Sequence, residues 1–348
     1  MRLAAVVMFS FCLLVTTAAA SPAATQRFAD VGPIDLAGGT LQHCRIGYRT
    51  FGTMKPDGSN TVVVPTWLTG RTQDLEGLFG REKLVDPSTY FVVAIDAIGD
   101  GVSCSPSQEP RRSRLAFPRF TIDDMVESQY RVVTRTLGLR HIRAVIGISM
   151  GGMQAFDWAA KHADFLDRAV SIVGTPQPDS QDLLTWTAEQ RAIDGSAQWR
   201  SGSYDGSPPF PALAIVHTLA LSTPSQRSAQ TPRADVPAFL ESTYRDTFKN
   251  FNVVDWYRQL QAMIVFDIAG GSTLDVAASR IRVPMLVVTS AQDRLVSPEP
   301  SKRLADLLGA KTLQLSGDCG HVAPICEMEK TSPAVASFLS LDRVKQAP

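Results

Sequence analysis

Residues 143–158 read RAVIGISMGGMQAFDW. Arg143 to Ile148 is an apolar, β-branched run with the composition of a buried strand, and Met153 to Trp158 has that of a helix. Between them, Gly147-Ile148-Ser149-Met150-Gly151 satisfies G-x-S-x-G, and Gly152 adds one more glycine. A serine held out on a sharp strand-to-helix turn needs small neighbours, because the backbone closes there too tightly for side chains. Such a turn exposes the serine hydroxyl and aims main-chain N–H groups at an oxygen that becomes negative when the hydroxyl attacks a carbonyl. The five-residue pattern alone is weak; a strand directly before it and a helix directly after make it specific. Ser149 is therefore read as a nucleophile.

A serine hydroxyl attacks poorly until a base takes its proton, so a histidine must converge on it. Of His43, His141, His162, His217 and His321, the last follows an apolar strand (Thr312 to Leu315) in a turn of small residues, Ser316 to Gly320. That is where a late strand delivers a side chain over the carboxyl edge of a parallel sheet. The carboxylate that orients the base should lie between nucleophile and base in the chain. Asp293 does, directly after the strand Met285 to Thr289; Asp318, in the base's own loop, is the rival. The predicted constellation is Ser149, Asp293 and His321.

Working outward, short β-branched runs (Thr61 to Val64, Tyr90 to Ile95, Ala144 to Ile148, Ala169 to Val173, Met285 to Thr289) alternate with helical patterns. The helical patterns include Ile122 to Leu137, Ser301 to Leu308 and Pro333 to Leu341, with Asp123 and Asp124 as capping residues of the first. This alternation predicts an α/β fold, a mostly parallel sheet with helices on both faces. Residues 177–271 break the rhythm with Trp186, Trp199, Trp256 and a Pro-rich segment, and are read as a helical cap between core halves 21–176 and 272–348. Gly270-Gly271 marks the exit from that cap, and the basic run Arg111 to Arg114 reads as a solvated loop.

Composition narrows the chemistry. Lys+Arg and Asp+Glu are both 34 in 348 residues, so there is no net charge to attract a polyanion, and no nucleic-acid partner is expected. Hydrophobic residues at 44% with charged residues at 20% fit a chain with a sizeable core. Met1-Arg2, the apolar run Leu3 to Thr17 and Ala18-Ala19-Ala20 predict a secretory signal over residues 1–20, cleaved near Ala20, and export of the rest with no membrane attachment. Export leaves Cys44, Cys104, Cys319 and Cys326, an even set whose connectivity stays open. Cys319 and Cys326 bracket His321, either as a disulfide that fixes its loop or as two reduced buried thiols. No spacing of Cys and His suggests a metal, and no cofactor is expected.

With these residues in place, the chain resembles the homoserine O-acetyltransferase branch of the α/β-hydrolase superfamily. Gly47 to Thr53 (GYRTFGT), Leu68-Thr69-Gly70, Asp96 to Gly101 running to Ser105-Pro106-Ser107, Gly147 to Gln154, and Gly320-His321 carry the likeness. It spans most of the chain beyond residue 48, and Ser-Met-Gly-Gly-Met-Gln is far more specific than a bare G-x-S-x-G. The resemblance implies an α/β-hydrolase fold, an oxyanion hole from the main-chain N–H groups of Met150 and Leu68, and pairing of two chains through cap helices.

The departures bear on substrate. In that family an aspartate after the catalytic histidine binds the homoserine amino group; here Val322 stands there. A cap arginine that clamps the homoserine carboxylate is replaced by His217 in Ala212 to His217, and a tyrosine further on by Pro224. Each lost charge-assisted contact removes about 1.5–3 kcal/mol, which disfavours homoserine. Acetyl-CoA is moreover a cytosolic donor that an exported protein would rarely meet. The expectation is an acyl-enzyme route that hydrolyses a small, largely uncharged ester, with Trp67, His217 and Val322 lining its pocket. The alternatives are an acyltransferase with another acceptor and, more remotely, an inactive binding protein.

Overall fold

The structure, a computed structural model, describes residues 24–204, 210–247, 249 and 251–341; the signal expected over residues 1–20 lies outside them. Ten strands occur among these residues: β1 (Arg27–Asp30), β2 (Ile34–Leu36), β3 (Gly39–Leu41), β4 (Arg45–Phe51), β5 (Thr61–Pro65), β6 (Phe91–Ile95), β7 (Ile142–Ile148), β8 (Leu166–Ile172), β9 (Met285–Ser290) and β10 (Lys311–Leu315). Eight of them form one sheet in the order β1-β4-β6-β5-β7-β8-β9-β10, and β2 and β3 form a separate hairpin. From β6 to β10 the pairing is parallel throughout; β4 runs antiparallel to both its neighbours.

The central strands β5, β6 and β9 read as nearly unbroken apolar runs because both faces are covered, whereas the edge strands β1 and β10 are largely exposed. Side chains alternate between faces, so each strand splits between two cores. Val63, Val93, Val145, Ala169 and Val287 share one cluster with Met153, Phe156 and Trp158. Val62, Val92, Ile146, Val170 and Val288 share the other with Val335, Phe338 and Leu339. Burying each such aliphatic side chain contributes about 1.5–3 kcal/mol, and this double-sided burial is the main force holding the layers together.

The helices are α1 (Ile122–Arg131), α2 (Met150–Lys161), α3 (Ser180–Asp194), α4 (Pro211–Leu221), α5 (Pro224–Gln230), α6 (Val236–Thr247), α7 (Val253–Ile264), α8 (Leu274–Ala278), α9 (Pro298–Leu308), α10 (Ala323–Cys326) and α11 (Met328–Ser340). None among the described residues is long and apolar enough to cross a membrane. Between β8 and β9 the chain leaves the sheet for α3 to α7, and Ile268 N donates to Pro176 O at 3.1 Å where it departs and returns. Gly270 and Gly271, both with positive φ, complete that return.

Several local expectations need correction. The cap of α1 is Thr121, whose hydroxyl accepts from Asp124 N while Asp124 Oδ2 accepts from Thr121 N at 2.8 Å; Asp123 is not the cap. α11 begins five residues ahead of Pro333 and runs through it. Arg114 is not solvated: its guanidinium lies 5.0 Å from the Tyr204 ring, with Nε and Nη1 buried. His43 lies exposed in the connection between β3 and β4. Both cysteine pairs are joined, Cys44 to Cys104 and Cys319 to Cys326.

Candidate active site

β7 ends at Ile148 and α2 begins at Met150, so the chain turns through a single residue, Ser149. Ser149 has φ 58° and ψ −123°, a conformation normally left to glycine. Its N–H donates to Ile172 O at 2.9 Å, which anchors the turn to β8. The flanking glycines are there for close approach. A Cβ on Gly151 would lie 2.9 Å from Pro65 O at the end of β5, so α2 starts pressed against the loop that follows that strand. Gly152 meets Ser171 Oγ and Gly174 in the same way after β8.

Ser149 is 7% exposed, at the carboxyl edge of the sheet. The structure brings all three members of the predicted constellation together there, although they lie on three separate strand ends. Ser149 Oγ is 2.8 Å from His321 Nε2, and His321 Nδ1 is 2.7 Å from Asp293 Oδ2. Asp293 Oδ1 accepts from Leu295 N and Val296 N, both at 2.9 Å, so the carboxylate is fixed by its own loop while its second oxygen faces the imidazole. The Asp293 side chain is 1% exposed, which leaves the imidazole as its outward partner. The rival, Asp318, is exposed and accepts from Ser225 Oγ at 3.0 Å.

A second carboxylate stands behind the first. Burial pushes Asp182, on α3, up to about 7, partly opposed by the Ser297 and Asp179 N–H groups and reinforced by the charge of Asp293. It accepts from Ser297 N at 2.6 Å, just beyond the Asp293 loop. Nothing in the local sequence pattern marks this pairing.

Leu68 lies in the loop after β5, third of the sheet strands in chain order, and Thr66 in the same loop faces Gly151 at the start of α2. Gln154 ties these segments together: its Nε2 donates to Thr66 O at 3.0 Å and to Met150 O at 3.1 Å. Its own carbonyl accepts from Gln129, which in turn accepts from Trp158 Nε1 at 2.9 Å. Met150 N, at the first position of a helix, has no partner within the helix. The two main-chain N–H groups expected to face an oxyanion thus belong to backbone segments joined by one buried amide.

The residues expected to line a substrate pocket fall in different settings. Trp67 lays its indole against Gly70, where a Cβ would come within 2.6 Å of Nε1. Val322 closes the short helical turn Gly320–Val322 beside the base. His217 is tied into the cap: its Nδ1 lies 3.0 Å from the buried Glu189, and its ring meets Trp256 edge-on at 4.8 Å. His141 and His162 are engaged elsewhere, with Asp167 at 2.7 Å and stacked on Tyr130 at 4.1 Å. A cavity of about 1000 Å³ lined by Asp164, Arg168, Arg282, Pro284 and Lys311 opens at the amino ends of β8 to β10, the far edge of the sheet from Ser149.

A sequence profile described as alpha/beta hydrolase fold matches residues 80–326. The chain is 30% identical over 367 residues to a homoserine O-acetyltransferase of Clavibacter michiganensis, covering 91% of this chain and 93% of that one. It is 32% identical over 180 residues to a probable esterase of Corynebacterium glutamicum, about half of each chain (51% and 52%). Among solved structures, the acetyl esterase MekB superposes with TM-score 0.83 at 23% identity, covering 92% of this chain and 98% of its own. Homoserine O-acetyltransferase from Bacillus anthracis superposes with TM-score 0.83 at 20% identity and the same coverage, 92% and 98%.

Proposed function

The chain belongs to the α/β-hydrolase family, in its homoserine O-acetyltransferase-like branch, and from that premise we propose that it is a serine acyl-transfer enzyme that hydrolyses a small, largely uncharged carboxylic ester. The observation that carries this reading is the unbroken contact from Asp293 through His321 to Ser149 Oγ, with distances of 2.7 and 2.8 Å.

In this mechanism Asp293 accepts the Nδ1–H of His321 and so leaves Nε2 unprotonated, facing the hydroxyl. Nε2 takes the proton as Ser149 Oγ bonds to the ester carbonyl carbon, and the carbonyl π electrons move to oxygen. The resulting oxyanion is met by the N–H groups of Met150 and Leu68, held in place in advance; one such donor is worth roughly 100- to 1000-fold in rate. The C–O bond to the alcohol then breaks, and the imidazolium returns its proton to the departing oxygen. Water repeats the sequence on the acyl-enzyme, giving the free acid and the original serine.

Val322, an isopropyl group directly after the base, offers no carboxylate to hold an amine, which counts against homoserine as the acceptor. Similarity to a probable esterase over half the chain supports hydrolysis. The overall likeness to homoserine O-acetyltransferases keeps transfer to another alcohol as the second reading. Export from the cytosol, proposed from residues 1–20, would separate the enzyme from acyl-CoA.

A panel of p-nitrophenyl esters and acyl-CoAs, assayed on wild type beside Ser149→Ala, tests the proposal. Release of free acid in plain water, lost in the variant, is the expected result. Release of p-nitrophenol or CoA only on addition of an alcohol acceptor, with the acyl group recovered as the new ester, would establish the transferase, and equal rates in both proteins would remove the catalytic claim.

A further inference from the structure

The insertion between β8 and β9 touches the site at three separate places, and each contact is a side chain of the insertion bonded to one loop of the catalytic machinery. On α3, Trp186 Nε1 donates to Leu295 O at 3.0 Å and Asp182 Oδ1 accepts from Ser297 N at 2.6 Å, so two residues one turn apart hold the loop that carries Asp293. At the junction of α4 and α5, Thr223 Oγ1 donates to Asp318 O and Gln226 Nε2 contacts Cys319 Sγ at 2.9 Å. A Cβ on Gly320 would stand 3.0 Å from Leu221 O, so the His321 loop lies directly on the end of α4. On α7, Gln259 Oε1 accepts from Thr69 N at 3.1 Å, and its Nε2 donates to Ile98 O at 3.2 Å. Thr69 has φ 67°, a strained value for a β-branched residue, directly after Leu68.

Asp182, Trp186 and Gln259 are 0% exposed and Thr223 is 1% exposed, so water does not compete for these bonds. The contacts span 93 to 190 residues of chain, and none is needed to close the sheet. A lid that opens for each turnover would have to break buried polar contacts at all three loops together, leaving the partner groups unsatisfied.

We propose that the insertion is a fixed clamp, in which Trp186, Thr223 and Gln259 are positioning residues for the acid, the base and the oxyanion loop respectively. This rests on the acyl-transfer reading above and adds to it which residues outside the constellation set its geometry.

Two near-isosteric variants, Thr223→Val and Gln259→Met, and the smaller Trp186→Phe, which removes the indole N–H but leaves some empty space, separate positioning from bulk stability when compared on p-nitrophenyl acetate with wild type and Ser149→Ala. Because ångström displacements of reacting groups cost up to about 100-fold in rate, each variant should lower kcat by about 10- to 100-fold while KM stays within about twofold. Gln259→Met should weaken inhibition by phenylboronic acid, which mimics the tetrahedral intermediate, in proportion to its kcat. Trp186→Phe and Thr223→Val should instead slow labelling of Ser149 by a fluorophosphonate. Thermal unfolding identifies which variants are folded, and the comparison is made on those; three conservative changes at distant points protect it against the loss of one. Folded variants with wild-type kcat, or with the whole loss in KM, would overturn the clamp. A wild type that is itself no faster than Ser149→Ala would instead overturn the acyl-transfer reading, so the two failures are distinguishable.

Discussion

Gly147 faces Gly151 so closely across the serine turn that a Cβ on Gly147 would lie 1.8 Å from the Gly151 carbonyl oxygen. The obstacle is main chain, so no side-chain rotation relieves it. Gly147→Ala should therefore shift the first turn of α2 and lower stability by about 1–3 kcal/mol, the range for overpacked sites. Ester hydrolysis should fall by about 100-fold, less than for Ser149→Ala, because Met150 N moves with the turn while the nucleophile is retained. Urea unfolding beside an ester assay checks both; an alanine variant with wild-type rate and midpoint would contradict the geometry.

The strain at Ser149 makes a second, opposite prediction. With φ 58° and ψ −123°, the residue occupies a region that glycine enters freely and other residues enter at about 1–3 kcal/mol. Ser149→Gly releases that strain and pays about 0.5–1 kcal/mol in added chain entropy. The inactive glycine variant should thus be more stable than wild type by about 1 kcal/mol, whereas Ser149→Ala, still strained, should not. Thermal unfolding of the two variants side by side decides it.

The two disulfides should separate stability from catalysis. Cys44–Cys104 spans 60 residues and Cys319–Cys326 spans 7. By chain entropy the first stabilises by about 4 kcal/mol and the second by about 2–3 kcal/mol. Replacing both cysteines of the long loop by alanine should cost more stability. Replacing Cys319 and Cys326 should cost more kcat, since that bond closes the loop holding His321. Equal kcat losses at matched temperature below both transitions would refute the assignment.

Acidity offers a third axis. Burial, reinforced by the charge of Asp124, raises Asp157 on α2 from 3.8 to about 7, and its Oδ2 has no hydrogen-bond partner. The folded state therefore holds a proton that the unfolded state releases above about pH 4. This group's contribution is fully present below pH 4 and is lost as pH rises towards 7. Asp157→Asn, which cannot ionise, should match wild type near pH 4 and exceed it in stability by about 1–3 kcal/mol at pH 8. Denaturant melts at the two pH values measure the difference; a variant destabilised equally at both would show that the carboxylate is held by contacts instead.

What could be read from the sequence was whatever leaves a local mark. The turn at Ser149 announces itself through the glycines its backbone requires, Asp293 through its place just beyond the apolar strand β9, and His321 through the small-residue turn that follows β10. The acidic run at the start of α1 points correctly to Asp124, which completes the capping box, but hides its other half, because Thr121 carries no charge to draw attention to it. Pro333 suggested a helix start, but α11 had already formed around Met328 and absorbed it. Cysteine pairing follows from three-dimensional proximity, which spacing does not encode. Least legible were Asp182, Trp186 and Gln259, whose partners are main-chain atoms 109 to 190 residues away. A main-chain partner has no side-chain identity, so such contacts impose no recognisable pattern on either stretch of sequence.

The hydrogen bond from Ile268 to Pro176 gives the inserted helices a narrow stalk, the kind of junction at which one segment can be exchanged for another without disturbing the fold beneath. On the clamp proposed above, a chimera made there would keep its sheet and its serine turn but lose the grips on the three loops, and with them much of its rate. A change of roof would then also be a change in the geometry of the reacting groups beneath it.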